Sequence, residues 1–266
     1  MRKLNSSSNV QVAKEISKSD AETVNRSFSN AVKMMTSAGF KVGNNVKVTV
    51  DPELPFMGYT MPQGRGFTIV VAGGAIGSGM LEGLLVHEMS HVYRIETNHP
   101  SHNAEILEAA VEKLGPKNLR YDYQQKIIHD LLNDIQDLYA DDVSLHVLRA
   151  AQTPLLGQVS EFLQSMVIDK AANSDDQAKD RWVNASIMAH NARAIAQMTR
   201  QQIKDIGEKG ARANQRFLAE IPPEIAKKFD FFRNQLVNMK EDITEDQYRA
   251  FLAEHLNQFM QATTKN

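Results

Sequence analysis

The chain has 266 residues, of which 42% are hydrophobic, and its 30 Lys and Arg nearly balance 32 Asp and Glu for a formal net charge of −2. This composition is typical of a globular protein with one large or two modest domains, and it argues against a nucleic-acid binder, which normally carries a basic surplus. The lack of cysteine excludes disulfides, cysteine-bound zinc and thiol nucleophiles. The polar N-terminal stretch and the shortness of every apolar run lead us to expect a soluble, cytoplasmic protein without a membrane partner.

The first 150 residues show alternating helix and strand patterns. Alternating valines indicate a half-buried strand, a Phe-Thr-Ile-Val-Val-Ala run indicates a second strand, and the prolines and glycines between them predict an irregular connection. The predicted elements are a short helix over residues 10–16, a helix over 20–39 with Asp20 as its N-cap, a strand over 46–50, the connection over 52–66, a strand over 67–72 and a helix over about 79–95.

The rest of the chain has a helical pattern throughout. A helix is expected to begin after an Asn103 cap and to end at Gly115, and a long helix is expected over residues 120–150. Thr153-Pro154 is the strongest boundary signal, and the last helix opens with a capping box at Thr244-Glu-Asp-Gln247. The sequence therefore predicts an α+β domain over residues 1–152, followed by an all-α domain or arm over 153–266.

A His-Glu-x-x-His cassette lies in the helix predicted over residues 79–95. His87 and His91 are four residues apart, so both imidazoles project from one face of the helix within reach of a single metal ion. Glu88 flanks that ion and can act as general base toward a water that Zn²⁺ activates. The less specific interpretation is a core helix with two hydrogen-bonded histidines and a solvated Glu88.

A catalytic zinc requires three protein ligands, so the cassette needs a partner elsewhere in the chain. The third histidine of the metzincin pattern is absent, because Arg94 and Thr97 occupy the positions of its glycine and histidine. The long helix over 120–150 offers carboxylates instead, at spacings of four, three and four: Asp130, Asp134, Asp137 and Asp141. Like charges at these spacings repel, and a nearby dication would reverse that effect. A solvated acidic face would produce the same pattern.

His87-Glu-Met-Ser-His91 followed by Asp137-Leu-Tyr-Ala-Asp141 resembles the gluzincin metallopeptidases. The resemblance is to the branch with a Glu-x-x-Ala-Asp motif, typified by the membrane heat-shock and prenyl-protein proteases, and the cassette is also similar to small uncharacterised archaeal proteins with this motif. It implies a zincin-like fold, with Asp137 as the third zinc ligand and Asp141 as the residue that hydrogen-bonds and orients His87. Asp in place of the family's Glu shortens the reach by a methylene, so the two helices must approach more closely.

A second alignment remains open for the third ligand. Asn133-Asp134 resembles the Asn-Glu pair of thermolysin-like enzymes and would make Asp134 the ligand. Asp137 is favoured because it alone has a carboxylate partner, Asp141, one turn further along the helix.

These observations predict a zinc metallopeptidase that hydrolyses peptides or unfolded proteins. We expect substrate to lie along the strand just before the cassette helix, provided that this strand is at an edge of the sheet. The predicted substrate-binding residues are Phe67, Thr68, Ile69, Val70 and Val71. Their apolar run would also suit an interior strand. The rival hypothesis is an inactive zincin-fold scaffold whose helical extension mediates interactions, with the metal closed off by His99, His102 or a second aspartate.

Overall fold

The computed structural model describes residues 17–43 and 45–264, so the short helix predicted over residues 10–16 lies outside the described residues. Within these ranges, no helix combines the length and the apolar character needed to cross a membrane. In chain order, the elements are α1 (Lys18–Ser37), β1 (Val46–Asp51), β2 (Gly58–Gln63), β3 (Gly66–Ala72), α2 (Leu81–Glu96), α3 (Ala104–Glu112), α4 (Asp122–Ala150), α5 (Leu155–Ser165), α6 (Gln177–Arg200), α7 (Lys209–Glu220), α8 (Pro223–Ala226), α9 (Phe229–Val237) and α10 (Glu245–Thr263). The predicted α+β class is confirmed.

The chain divides into two compact units, and the division is not the single cut predicted after residue 152. The sheet unit contains the described residues up to Asn98 together with 140–156, and the helical unit contains 99–139 together with the described residues from 157 onward. The difference has a packing reason, because α3 and the first part of α4 contribute Ile106, Ile128 and Leu132 to the core of the helical unit. The unbroken helix α4 thus belongs to both units.

The sheet unit is built on a three-stranded sheet in the order β1-β3-β2. β1 runs parallel to β3, and β2 pairs with β3 in the antiparallel sense. Val48, Val50, Ile69 and Val71 are buried, as the alternating and apolar patterns of the two predicted strands require. α2 packs against α1 and β2, and the Asn30 side-chain amide donates to Glu82 across the two helices at 2.8 Å.

The predicted edge position of residues 67–72 is wrong, because β3 is paired on both sides. All five residues assigned to substrate binding, Phe67, Thr68, Ile69, Val70 and Val71, lie on this interior strand. The edge next to β3 is β2, within the segment that was expected to be irregular. Gly58 and Pro62 removed the alternating pattern there, yet proline is tolerated on an edge strand because the missing N–H can face away from the sheet.

The helical unit has one large apolar core, in which α4 packs with α6, α7, α9 and α10. Trp182, Phe217, Phe232 and Phe259 are buried in it. The predicted caps are confirmed in this unit: Asn103 accepts from two backbone amides of α3, and Thr244 forms the capping box of α10. In the sheet unit the cap of α1 is Ser17, whose hydroxyl accepts from the Asp20 amide, so Asp20 lies in the first turn and is not the N-cap.

Shortening a side chain on the interior strand is expected to cost far more than shortening one on the edge. Ile69→Ala removes fully buried atoms and should lower the free energy of unfolding by about 2–5 kcal/mol. Met61→Ala on β2 is the matched control, and because Met61 is exposed it should change stability by about 0.5 kcal/mol or less. Urea unfolding of both variants measures this, and equal losses would contradict the observed strand order.

Candidate metal centre

Helix α2 places the two cassette histidines one turn apart with their distal nitrogens together. His87 Nε2 and His91 Nε2 are 3.2 Å apart, and the two rings meet edge to face. Two nitrogen ligands at tetrahedral angles on one zinc ion lie about 3.3 Å apart, given zinc–nitrogen bonds of about 2.0–2.1 Å. The pair therefore has the separation that a shared zinc ion requires.

The orientation of the His87 ring is fixed by α4. His87 Nδ1 lies 2.9 Å from Asp141 Oδ1, and both side chains are largely buried. An ionised carboxylate can only accept here, so Nδ1 donates, and in the neutral imidazole the lone pair is then on Nε2. The contact that the resemblance implied between Asp141 and His87 is present, and it leaves the metal-facing nitrogen free of a proton.

Asp137 precedes Asp141 by one turn of the continuous helix α4, and the resemblance implied it as the third ligand. Two imidazoles and one carboxylate are a donor set that catalytic zinc sites use, with the fourth position left for water. The residues present therefore fit a zinc ion, and the assignment of Asp137 as a ligand stays a prediction.

The other two aspartates of the predicted stripe have different partners. Asp130 pairs with Lys126, one turn earlier on α4, at 2.6 Å. Asp134 accepts from His190 Nδ1 on α6 at 3.0 Å. The alternative alignment would make Asp134 the zinc ligand, but this carboxylate already accepts a hydrogen bond from His190.

Asp137 also faces a buried cation within the helical unit. Arg193 on α6 is 3% exposed, and its Nη2 lies 4.0 Å from Asp137 Oδ2. A guanidinium removed from water requires an anion nearby, and this carboxylate provides one. Sequence analysis missed both Arg193 and His190. The available signal was their spacing of three on α6, which matches that of Asp134 and Asp137 on α4.

Glu88 is held by the edge strand of the sheet. Its side chain is only 4% exposed, and the Thr60 hydroxyl on β2 lies 2.7 Å from Oε2 and 3.2 Å from the Glu88 backbone oxygen. A hydroxyl has one proton to donate, so the shorter contact to the carboxylate is the main hydrogen bond. Thr60 was not found from the sequence because its strand was expected to be a loop.

The two histidines that were considered as closing ligands lie in a turn. His99 Nδ1 is 2.7 Å from the Ser101 hydroxyl, and His99 Nε2 is 2.9 Å from the Glu241 carbonyl oxygen. His102 Nδ1 is 2.7 Å from the same hydroxyl.

Comparison with known proteins places the chain in a family. A model described as a family of unknown function, DUF5781, matches residues 16–261, so the chain belongs to that family. No curated protein and no solved structure matches the chain.

Substitution of the two candidate ligands should separate them by zinc affinity. Asp137→Ala should weaken zinc binding by more than the roughly 10- to 100-fold that is typical when a hydrogen-bond partner of a ligand is lost. Asp134→Ala should leave the affinity nearly unchanged, because it removes only a contact to His190. Chelator competition measures both values, and the reverse order would assign the ligand role to Asp134.

Substitution of Asp141, the hydrogen-bond partner of His87, should lower zinc affinity by an intermediate amount. Asp141→Asn keeps the size of the side chain but replaces a charged acceptor with an amide, so it should lower zinc affinity by about 10- to 100-fold. The same competition assay applies, with Asp130→Asn as the control because Asp130 pairs with Lys126 one turn earlier on α4. Equal affinities for both variants would show that Asp141 does not support the ligand.

Proposed function

We propose that this protein is a zinc-dependent metallopeptidase with a zincin-like sheet unit. The observation that carries the proposal is the cassette itself, with His87 Nε2 and His91 Nε2 at 3.2 Å and a buried glutamate between them in sequence. The contact of Asp141 to His87 supports the gluzincin-like assignment, in which Asp137 is the proposed third ligand. Membership in a family of unknown function is compatible with this activity and does not supply it.

The proposed chemistry divides between the metal and Glu88. Bound zinc would lower the pKa of a water molecule toward neutrality and polarise the scissile carbonyl. Glu88 takes the proton of the attacking water and passes it to the leaving amine, so its carboxylate must be ionised and correctly directed at the start. Asp141 accepts from His87 Nδ1 and orients the ring, and Asp137, as the proposed third ligand, would supply negative charge to the metal.

Strand β2 replaces β3 as the proposed substrate strand. The Ala72 amide donates to the Met57 carbonyl at 2.9 Å, and hydrogen-bonded pairs alternate along an antiparallel ladder. The backbone groups of Gly58, Thr60 and Pro62 therefore point away from β3. In the described part of the chain, β2 is the last strand on this side of the sheet, so an extended peptide can pair with it.

This mode of binding depends on backbone contacts and defines a substrate class. Main-chain hydrogen bonds are available to almost any sequence, so the proposed enzyme accepts varied side chains. The substrate segment must be extended, which favours peptides and unfolded proteins over folded ones.

Glu88→Gln should separate metal binding from hydrolysis. The amide cannot accept a proton from water, so peptide cleavage should fall to background while zinc remains at about one ion per chain. Metal analysis and a peptide-library digest of the same preparations measure the two quantities. His91→Ala is the control and should lose zinc as well as activity. A zinc-loaded wild-type protein that cleaves no member of the library would favour the scaffold hypothesis.

A backbone scan of a good substrate should reveal pairing with a strand. Single N-methyl groups placed at successive peptide positions should raise KM at every second residue, because alternate N–H groups of an extended peptide face β2. The loss of one hydrogen bond corresponds to a rise of about 2- to 10-fold. Steady-state kinetics on the methylated series measures the pattern, and a uniform response along the peptide would exclude this strand as the binding element.

A further inference from the structure

Thr60 joins two features of the sheet unit that the proposed function uses separately. Its backbone belongs to β2, with the N–H and C=O directed to the free edge by the alternation of the ladder. Its side chain extends toward α2 and donates to Glu88 Oε2 at 2.7 Å. One residue therefore touches both the proposed peptide-binding edge and the proposed general base.

The hydrogen bond selects one carboxylate oxygen of Glu88. The side chain is buried, and a carboxylate in such a place is costly unless a donor compensates it. The hydroxyl of Thr60 donates to Oε2, so Oε1 is the oxygen whose lone pairs it does not engage. A fixed carboxylate also avoids the loss of rate that follows from a misdirected catalytic group.

The chemistry of threonine makes this contact depend on the strand. A β-branched side chain has few accessible χ1 rotamers, so the direction of its hydroxyl follows the backbone of its strand. A peptide paired with the Thr60 N–H and C=O would restrain that backbone further. Substrate pairing and the orientation of Glu88 then act through the same residue.

We propose that Thr60 is a positioning residue, which holds the Glu88 carboxylate in its working orientation and links that orientation to occupancy of the β2 edge by an extended peptide. The role as a positioning residue for a base rests on the proposed peptidase function, whereas the hydrogen bond to Glu88 does not. Thr60 contributes no proton to the reaction in this scheme, and its effect passes entirely through Glu88.

The test compares Thr60→Val with Thr60→Ser in the zinc-loaded full chain. Valine keeps the branched shape and the backbone groups but removes the hydroxyl, so kcat should fall by about 10- to 100-fold while KM stays within about twofold. Serine restores the hydroxyl and should recover most of kcat. Thr49→Val is the matched control, because it makes the same change on β1 at the other edge of the sheet. Zinc content should be the same in all variants.

A spectroscopic readout separates this proposal from the proposed function. The carbon-13 signal of the Glu88 side-chain carboxyl should shift in Thr60→Val, return in Thr60→Ser and stay unchanged in Thr49→Val. The positioning role would be overturned if the Glu88 signal were unchanged in Thr60→Val. It would also be overturned if this variant raised KM and left kcat unchanged. If the wild-type protein cleaves no peptide, the peptidase proposal fails, and the carboxyl signal still decides whether Thr60 holds Glu88.

Discussion

The contact between His87 and Asp141 is the constraint on which the candidate centre depends. The hydrogen bond of 2.9 Å fixes the ring, assigns the proton to Nδ1 and leaves a lone pair on Nε2. It also joins α2 to the second half of α4, and Asp137 then follows from helix geometry, because it lies one turn earlier on the same helix. A change that moved Asp141 would therefore disturb the orientation of His87 directly.

The acidic stripe of α4 shows how charge is paired in this protein. Its four aspartates have four different partners, which are Lys126, His190, Arg193 and His87. Arg193 and His190 come from α6, so the requirement to pair charge within the helical unit explains part of a pattern that resembles a metal site. Under the proposed function only Asp137 has two tasks, since it neutralises a buried arginine and offers an oxygen to the metal.

The parts that could be predicted from sequence are those governed by local chemistry. The cassette helix, Asn103 and the Thr244 capping box depend on residues within a few positions of one another, and the structure has them as expected. The division into units and the partners of Asp134 and Asp137 depend on contacts between residues more than 50 positions apart. No periodicity in one segment contains that information. β2 was missed for a different reason, because Gly58 and Pro62 are typical of turns.

Gly58 and Pro62, which made β2 look like a loop in the sequence, also favour its pairing with another chain. A side chain at Gly58 would bring Cβ to 2.8 Å from the Val70 carbonyl oxygen and into contact with Leu84 of α2, so glycine allows the strand to lie close to both. Pro62 faces the free edge, where a missing N–H breaks no bond to β3 and limits unwanted pairing beyond the end of the strand. Between them, Thr60 retains a full set of backbone groups. Of the three positions directed to the free edge, Gly58, Thr60 and Pro62, Thr60 is the one whose side chain also reaches Glu88.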